Sequence, residues 1–175
     1  MAEAVSEWVL RWAPLVGRGP VLDLACGDGR HSRYFLGKGF EVHAVDRDPR
    51  SIEGARFLRA DLENGGAWPL AGQRFGAIVV TNYLYRPLFP VIAQSLAADG
   101  VLIYETFMVG NEKLGRPSNP DFLLRKGELL GAFPHLEVIA FEQGRVERPK
   151  PAVIQRLCAI RGEGGRVRIE PHDYR

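Results

Sequence analysis

Residues 21–30, which read VLDLACGDGR, decide the fold of this chain. An apolar run ends at Leu24 and leads into a turn that carries Gly27 and Gly29, and a polar segment of helical character follows. This order predicts a strand, a glycine turn and a helix, an arrangement in which backbone N–H groups can approach a ligand closely. Ser32 stands where the third glycine of the dinucleotide fingerprint Gly-x-Gly-x-x-Gly belongs, and its presence disfavours a nicotinamide enzyme.

The pattern that begins with this stretch repeats along the chain. Short apolar runs rich in β-branched residues alternate with polar segments, which is typical of a parallel α/β sheet. The candidate strands lie at residues 21–25, 41–46, 56–61, 75–81, 101–106, 136–141 and 153–160, and the candidate helices lie at 28–38, shortly after Asp48-Pro49, at 87–98 and at 122–133. We expect Gly37-Lys38-Gly39 and Asp99-Gly100 to end two of these helices. No helical segment separates the last two strands, so we predict an antiparallel hairpin there.

Length, composition and charge limit the classes of protein that fit. With 175 residues, 46% of them hydrophobic, the chain is expected to form one domain over 1–175, with an N-terminal helix within 1–17 and a tail at 162–175. The formal charge of +2 does not demand a polyanionic partner. The N-terminal apolar residues recur at helical spacing, which favours a helix packed on the domain over one lying on a membrane surface. No apolar run suits a signal peptide or a membrane span, so we expect a cytoplasmic protein. We expect it to be a monomer or a homodimer.

Three residues with reactive side chains are expected to have structural roles. Cys26 and Cys158 are the only cysteines and form no Cys-x-x-Cys pair, so we expect neither a metal site nor a disulfide framework. Cys26 is expected to line a ligand pocket as a small apolar side chain. His31 follows the glycine turn and is interpreted as a helix-face residue rather than a base.

Acidic residues end the second and third candidate strands. Asp46 lies roughly 20 residues after the glycine turn, where a carboxylate can bind both hydroxyls of a ribose. Asp61 ends the third strand, where it can accept a hydrogen bond from an exocyclic amine such as that of adenine. Each could instead be a helix N-cap or a solvated carboxylate. Because the carboxyl ends of parallel strands share one edge of the sheet, the two together favour a nucleoside site.

In these motifs the sequence resembles the class I S-adenosylmethionine-dependent methyltransferases, specifically the small tellurite-resistance and thiol-methyltransferase groups. The resemblance covers roughly residues 20–107, and Ala25 stands where many members carry glycine. It implies a Rossmann-like sheet of seven mostly parallel strands in the order 3-2-1-4-5-7-6, with the last strand antiparallel and helices on both faces. It also implies that S-adenosyl-L-methionine is the cofactor. The implied cofactor-binding residues are Asp23, Ala25, Gly27, Gly29, Arg30, Asp46, Arg47, Asp61, Leu62 and Asn82.

Arg30 also has a physical argument of its own, because a guanidinium near a helix start could bind the methionine carboxylate. The alternative for Arg30 is a charge on the helix surface.

The fourth and fifth strand ends and the loop that follows them are the candidates for catalysis and acceptor binding. The candidate catalytic residues are Asn82, Tyr83 and Glu105, and the candidate acceptor-binding residues are Tyr85, Arg86, Arg116 and Asn119. The loop at 107–120 is long and rich in Gly, Pro and Asn, which is typical of a functional lid. Each residue has a structural alternative: core packing for the tyrosines, a helix flank or a solvated cation for the arginines, a turn for Asn119 and an ion pair for Glu105.

The leading functional hypothesis is methyl transfer to a small-molecule acceptor, without a metal or a membrane. One alternative is a regulatory module that binds S-adenosylmethionine without turnover. Another is an RNA methyltransferase. The tail arginines Arg161, Arg166, Arg168 and Arg175 favour RNA, whereas the tail carboxylates reduce that positive charge. Residues 82–85, NYLY, also lack the Asn/Asp-Pro-Pro-Tyr/Phe motif of methyltransferases that act on amino groups of nucleic-acid bases and glutamine.

Overall fold

A single seven-stranded sheet forms the centre of the molecule in a computed structural model that describes residues 4–162. The strands are β1 (Val21–Leu24), β2 (Val42–Asp46), β3 (Arg56–Arg59), β4 (Phe75–Thr81), β5 (Leu96–Phe107), β6 (Glu137–Val146) and β7 (Ala152–Ile160). Their spatial order is β3-β2-β1-β4-β5-β7-β6. Strands β1 to β5 pair in parallel, and β7 runs antiparallel to both of its neighbours, β5 and β6. The predicted strand order and the terminal hairpin are therefore confirmed.

The core lies on both faces of the sheet because strand side chains alternate between them. The central strands β1 and β4 are buried along their whole length, as expected for parallel strands covered by helices. On one face, Leu24 and Val80 belong to a large apolar cluster that includes residues of α3 (Phe89–Ser95) and α4 (Glu128–Ala132). On the other face, Val79 packs with residues of α1 (Glu7–Trp12) and α2 (Arg30–Gly37).

The N-terminal helix is present and packs on the sheet, as its apolar spacing predicts. Ser6 caps α1 by accepting a hydrogen bond from the backbone N–H of Trp8 at 3.1 Å. The Trp8 indole N–H donates to the Leu157 carbonyl of β7 at 3.2 Å, so the helix is held against the antiparallel strand. A 3₁₀ turn, Ala13–Leu15, extends the helix toward β1.

Three predicted helices differ from the structure. The helix expected after Asp48-Pro49 is absent, and residues 52–55 form a turn that the Ala55 N–H closes on the Ile52 carbonyl at 3.1 Å, with a left-handed φ of 85° at Gly54. The segment at 87–98 ends its helix at Ser95 because Leu96 already pairs with β4. Asp99-Gly100 therefore lies within β5 and does not cap a helix, although Asp99 does adopt a left-handed φ of 59°.

The segment at 122–133 is helical only in part. It holds the end of a 3₁₀ turn, Pro120–Phe122, and the five-residue α4, because Gly127 with a φ of 68° directly precedes α4. None of the helices in residues 4–162 combines the length and the apolar character that crossing a membrane requires. The predicted tail lies outside the described residues from 163 onward, and the single-domain organisation stays a prediction.

Candidate functional site

The carboxyl ends of five parallel strands surround a cavity of about 480 Å³, which we call the strand-end cavity. In the order of the sheet, its wall contains Asp61 after β3, Asp46 at the end of β2, Gly27 after β1, Asn82 after β4 and Phe107 at the end of β5. The predicted site residues that line it are Ala25, Gly27, Asp46, Arg47, Asp61, Leu62, Asn82 and Tyr83. The sheet topology thus brings together residues that the sequence spreads over some sixty positions.

The turn after β1 and the carboxylate of Asp46 are joined by hydrogen bonds. The backbone N–H of Gly27 donates to Asp46 Oδ2 at 2.8 Å, and that of Asp48 donates to Oδ1 at 3.0 Å. A carboxylate has about four acceptor positions, so further positions remain for a ligand. Ala25 and Gly27 have left-handed φ angles of 54° and 56°, and such a conformation costs a residue with a Cβ roughly 1–2 kcal/mol. The chain tolerates this cost at Ala25, in the cavity wall.

The third strand end presents a carboxylate acceptor, and Tyr83, which follows β4, brings a buried hydroxyl to the same cavity wall. Asp61 Oδ1 accepts a hydrogen bond from the backbone N–H of Glu63 at 2.9 Å, which fixes the carboxylate. The Tyr83 hydroxyl is buried and has no hydrogen-bond partner among residues 4–162. Burial, together with the nearby Glu63 carboxylate, raises the pKa of Tyr83, so this hydroxyl is a neutral donor. An unpartnered donor in a cavity wall suits a polar ligand.

Asp23 lies behind the glycine turn and does not line the cavity. It is 1% exposed, and its Oδ2 accepts from the backbone N–H and the hydroxyl of Ser32 at 2.9 and 2.6 Å. Burial raises the pKa of Asp23 to about 7 despite these hydrogen bonds. Its position corrects the predicted cofactor contact: Asp23 holds the first turn of α2 against β1.

Two more predicted cofactor residues also lie outside the cavity wall. Gly29 caps α2 with a φ of 82°, a left-handed conformation that favours glycine, and a Cβ there would also lie 2.4 Å from Ile52 Cδ1. Arg30 begins α2, and its Nε lies 3.3 Å from Nε2 of His31. The structure therefore gives Gly29 a conformational role and does not bring Arg30 to the cavity.

Glu105 anchors the N-terminal helix and does not line the strand-end cavity. Its carboxylate accepts from the Arg156 guanidinium and from the Ser6 hydroxyl, the latter at 2.8 Å. Its side chain is only 12% exposed. Because alternate residues of a strand point to opposite faces, Glu105 points to the face that α1 covers. This position disfavours the predicted catalytic role of Glu105, which stays a prediction.

Arg86 is also committed to the fold. Its guanidinium donates to both carboxylate oxygens of Glu128, at 2.6 and 3.0 Å, and to the carbonyls of Asp121 and Leu123. Glu128 raises the pKa of Arg86, so the cation is permanent. These contacts tie the start of α3 to the loop before α4. Arg86 lines neither the strand-end cavity nor the cavity beside Arg116, so these contacts favour the structural alternative over the predicted acceptor-binding role.

The remaining acceptor-binding candidates separate into two places. Tyr85 lines a different depression beside Trp68 and Leu88, away from the end of β5. Arg116 and Asn119 line a second cavity of about 490 Å³, which we call the loop cavity. The loop cavity shares part of its wall with the strand-end cavity, and the shared residues are Asn82, Phe107, Pro117 and Phe122. The predicted proximity of the 107–120 loop to the strand ends is consistent with this geometry.

His31 and Cys26 are buried away from the cavity wall. His31 Nε2 accepts from the Ser6 backbone N–H at 3.2 Å, and burial lowers its pKa to about 4, so the ring is neutral. Cys26 packs with Ala44 and Ile52, and burial raises its pKa to about 12. Cys26 therefore belongs to the packing behind the turn. The prediction that it lines the ligand pocket differs from this position.

Sequence reasoning did not find several residues of the two cavities. These are Asp48, Arg50, Ala60, Glu63, Leu84, Thr106, Phe107, Pro117, Ser118, Phe122 and Lys150. Phe107, Pro117 and Ser118 fall in the long loop that the sequence marks as functional. Lys150 lies at the tip of the β6–β7 hairpin, where no local pattern indicates a ligand.

Comparisons with known proteins agree with this geometry. Residues 3–64 match the family model described as tellurite resistance protein TehB. The crystal structure of TehB from Haemophilus influenzae has a TM-score of 0.74 at 16% identity, over 91% of this chain and 63% of that one. A 1,6-didemethyltoxoflavin-N1-methyltransferase from Burkholderia thailandensis, solved with that compound and S-adenosylhomocysteine, has a TM-score of 0.63 at 18% identity, over 89% and 76%.

One curated relative is named for methylation of RNA. The chain is 26% identical over 147 residues to the ribosomal RNA small subunit methyltransferase H of Gemmatimonas aurantiaca, covering 82% of this chain and 47% of that protein. The chain thus spans about half the length of this relative. In its fold this chain is therefore similar to solved methyltransferase structures, and residues 3–64 are similar in sequence to the TehB family.

Proposed function

We propose that this chain binds S-adenosylmethionine in the strand-end cavity and transfers its methyl group to a small-molecule acceptor. The observation that carries the proposal is the order of groups along the sheet edge. Asp61, Asp46, the turn at Gly27 and Asn82 follow one another at the ends of β3, β2, β1 and β4. An adenine acceptor, a ribose acceptor and a backbone turn in this order match an extended nucleoside with an amino-acid arm.

The described residues fit this cofactor at each position. Asp46 retains acceptor positions for the ribose hydroxyls. Asp61 can accept from the adenine amine, with Ala60 and Leu62 as apolar neighbours in the wall. The left-handed turn at Ala25 keeps the backbone close to the methionine arm. The volume of about 480 Å³ is within the usual range of small-molecule sites, roughly 300–1,000 Å³.

The methyl end of the cofactor would then lie near Asn82 and Phe107, at the wall that the two cavities share. When bound, the cofactor supplies an electrophilic methyl group on a sulfonium. The protein mainly has to align the acceptor atom with that methyl, and positioning of this kind can supply roughly 7–11 kcal/mol of the barrier. Among residues 4–162 the shared wall of Asn82, Phe107, Pro117 and Phe122 contains no His, Asp or Glu, and Glu105 is engaged elsewhere. This chemistry favours an acceptor that is already a good nucleophile.

Methylation of RNA is the second candidate, because the curated relative is named as a ribosomal RNA methyltransferase. Residues 82–85 do not carry the Asn/Asp-Pro-Pro motif of base amino-group methyltransferases. The arginines Arg166, Arg168 and Arg175 that favour RNA lie outside the described residues. Direct measurement therefore has to separate the two acceptor classes.

The test has two stages. Calorimetric titration of the full chain should show 1:1 binding of S-adenosylmethionine and S-adenosylhomocysteine, and tight binding of NADH without a response to S-adenosylhomocysteine would overturn the proposal. Methyl-labelled cofactor is then offered with thiols, amines, carboxylates and total RNA. Label transferred to a small molecule supports the proposal. Label in RNA alone assigns the second candidate, and cofactor binding with no transfer to any acceptor assigns a regulatory module.

A further inference from the structure

Two cations without partners line the loop cavity. Arg116, in the loop after β5, and Lys150, at the tip of the β6–β7 hairpin, both contribute to its wall. Neither forms a hydrogen bond or an ion pair within residues 4–162. Both also line a small adjoining depression beside Phe107, so the two side chains flank the same place. Like charges that share a wall repel each other, and an anion between them removes that cost.

The other polar groups of this cavity are also able to donate hydrogen bonds. Ser118 contributes a hydroxyl, and no Asp or Glu of the described residues lines the cavity. The Asn119 side-chain oxygen already accepts from the backbone N–H of Asp121 at 3.0 Å, which leaves its amide NH₂ as a donor. The strand-end cavity differs from this arrangement, because its wall holds the carboxylates of Asp46, Asp48, Asp61 and Glu63 beside Arg47 and Arg50. Of the two cavities, the loop cavity is the one in which the cations have no carboxylate in the described wall.

Apolar surface separates the cations from the expected position of the methyl group. Phe107, Pro117 and Phe122 line both cavities, whereas Arg116 and Lys150 line only the loop cavity and its small neighbour. A ligand that reaches from the methyl group to the cations must pass these three side chains. Its charged group is therefore distant from the atom that receives the methyl.

We propose that the methyl acceptor is a small organic anion whose apolar or aromatic body contacts Phe107 and Phe122 and whose anionic group is bound by Arg116 and Lys150. This inference rests on the proposed function for the position of the methyl group. The anionic group serves recognition, and a second atom of the acceptor is the nucleophile. Arg116 and Lys150 are thus specificity-determining residues rather than catalytic ones.

The test compares benzoate with benzamide, which have nearly the same shape and differ in charge. The full chain is saturated with S-adenosylhomocysteine, and the binding of each probe is measured by calorimetry. Benzoate should bind about tenfold more tightly than benzamide, the size expected for two charged contacts at a solvent-accessible site. In the double variant Arg116→Gln/Lys150→Gln this preference should disappear, while S-adenosylhomocysteine affinity stays unchanged.

Lys113→Gln is the matched control, because Lys113 lies in the same loop but lines neither cavity, and it should leave the preference intact. The conservative variant Arg116→Lys/Lys150→Arg should retain it. Equal binding of the two probes, no binding of benzoate, or an unchanged preference in the double variant would each overturn the inference. Displacement of benzoate by an equal concentration of sulfate would overturn the role of the apolar body. Failure of S-adenosylhomocysteine to bind would count against the proposed function and not against the anion site. The anion site is then tested by measuring benzoate binding to the chain in the absence of S-adenosylhomocysteine.

Discussion

Replacement of Asp46 by asparagine tests the cofactor assignment most directly. The side chain keeps its size, and its amide oxygen can still accept from the Gly27 N–H that now lies 2.8 Å from Oδ2. The substitution removes the negative charge and turns one acceptor oxygen into a donor group. At least one ribose hydroxyl then loses its partner.

The size of the effect follows from the hydrogen bonds involved. A hydrogen bond to a charged group contributes about 1.5–3 kcal/mol, which corresponds to roughly a ten- to hundredfold change in Kd. The fold should lose less, because among residues 4–162 the side-chain hydrogen bonds of Asp46 that change are those with the backbone N–H groups of Gly27 and Asp48. We therefore expect weakened binding of S-adenosylhomocysteine by a chain that is still folded.

Calorimetric titration with S-adenosylhomocysteine, together with thermal unfolding of the same samples, measures both quantities. Glu41→Gln is the control, because Glu41 lies just before the opposite end of β2, is exposed and pairs with Arg56 and His43. It should leave the affinity unchanged. A Kd for Asp46→Asn within about twofold of the unmodified chain would show that the ribose does not bind at this strand end.

Three further predictions concern stability. The pKa of Asp23 is raised from 3.8 to about 7, so the contribution of Asp23 to the free energy of unfolding falls by up to about 4 kcal/mol as pH rises from 4 to 7. The pKa of His31 is lowered from 6.5 to about 4, so the contribution of His31 rises by up to about 3 kcal/mol as pH rises from 4 to 6.5. Urea unfolding measured across this pH range should show that the free energy of unfolding rises more steeply with pH for Asp23→Asn than for the unmodified chain, and falls more steeply with pH for His31→Gln. Parallel pH curves for the two variants would contradict both pKa assignments. Arg86→Ala should lower the free energy of unfolding by about 1–3 kcal/mol because it leaves the partly buried Glu128 carboxylate unpaired. Arg145→Ala, which breaks an exposed pair, should leave the free energy of unfolding nearly unchanged, and equal losses in the two variants would refute the structural role of Arg86. Ala25→Gly should preserve or raise the melting temperature, because removing the Cβ relieves a left-handed φ of 54°, worth roughly 1–2 kcal/mol, and the added backbone entropy of glycine costs only roughly 0.5–1 kcal/mol. A marked fall in the melting temperature would show that the alanine methyl group packs favourably.

The sequence predicted correctly which residues come together in one cavity where position along a strand was the argument, and it did not predict the partners of individual side chains. Asp46 and Asp61 were placed in one cavity because the carboxyl ends of parallel strands meet at one edge. Glu105 also ends near that edge, but its side chain points to the face covered by α1 and pairs with Arg156, 51 positions later. Nothing near Glu105 in the sequence indicates that pairing.

Sequence alone determined the alternation of strands and helices and the glycine turn after β1, because apolar spacing and turn residues are local properties. The strand order and the cofactor came from the resemblance of those motifs to a known family. Tertiary structure decided which charged residues support the fold and which face the cavities. It joined Arg86 to Glu128 over 42 positions, and it left Arg116 and Lys150 together at the loop cavity without partners among residues 4–162. Such pairings depend on distances between side chains that are far apart in the chain, and those distances exist only once the sheet has formed.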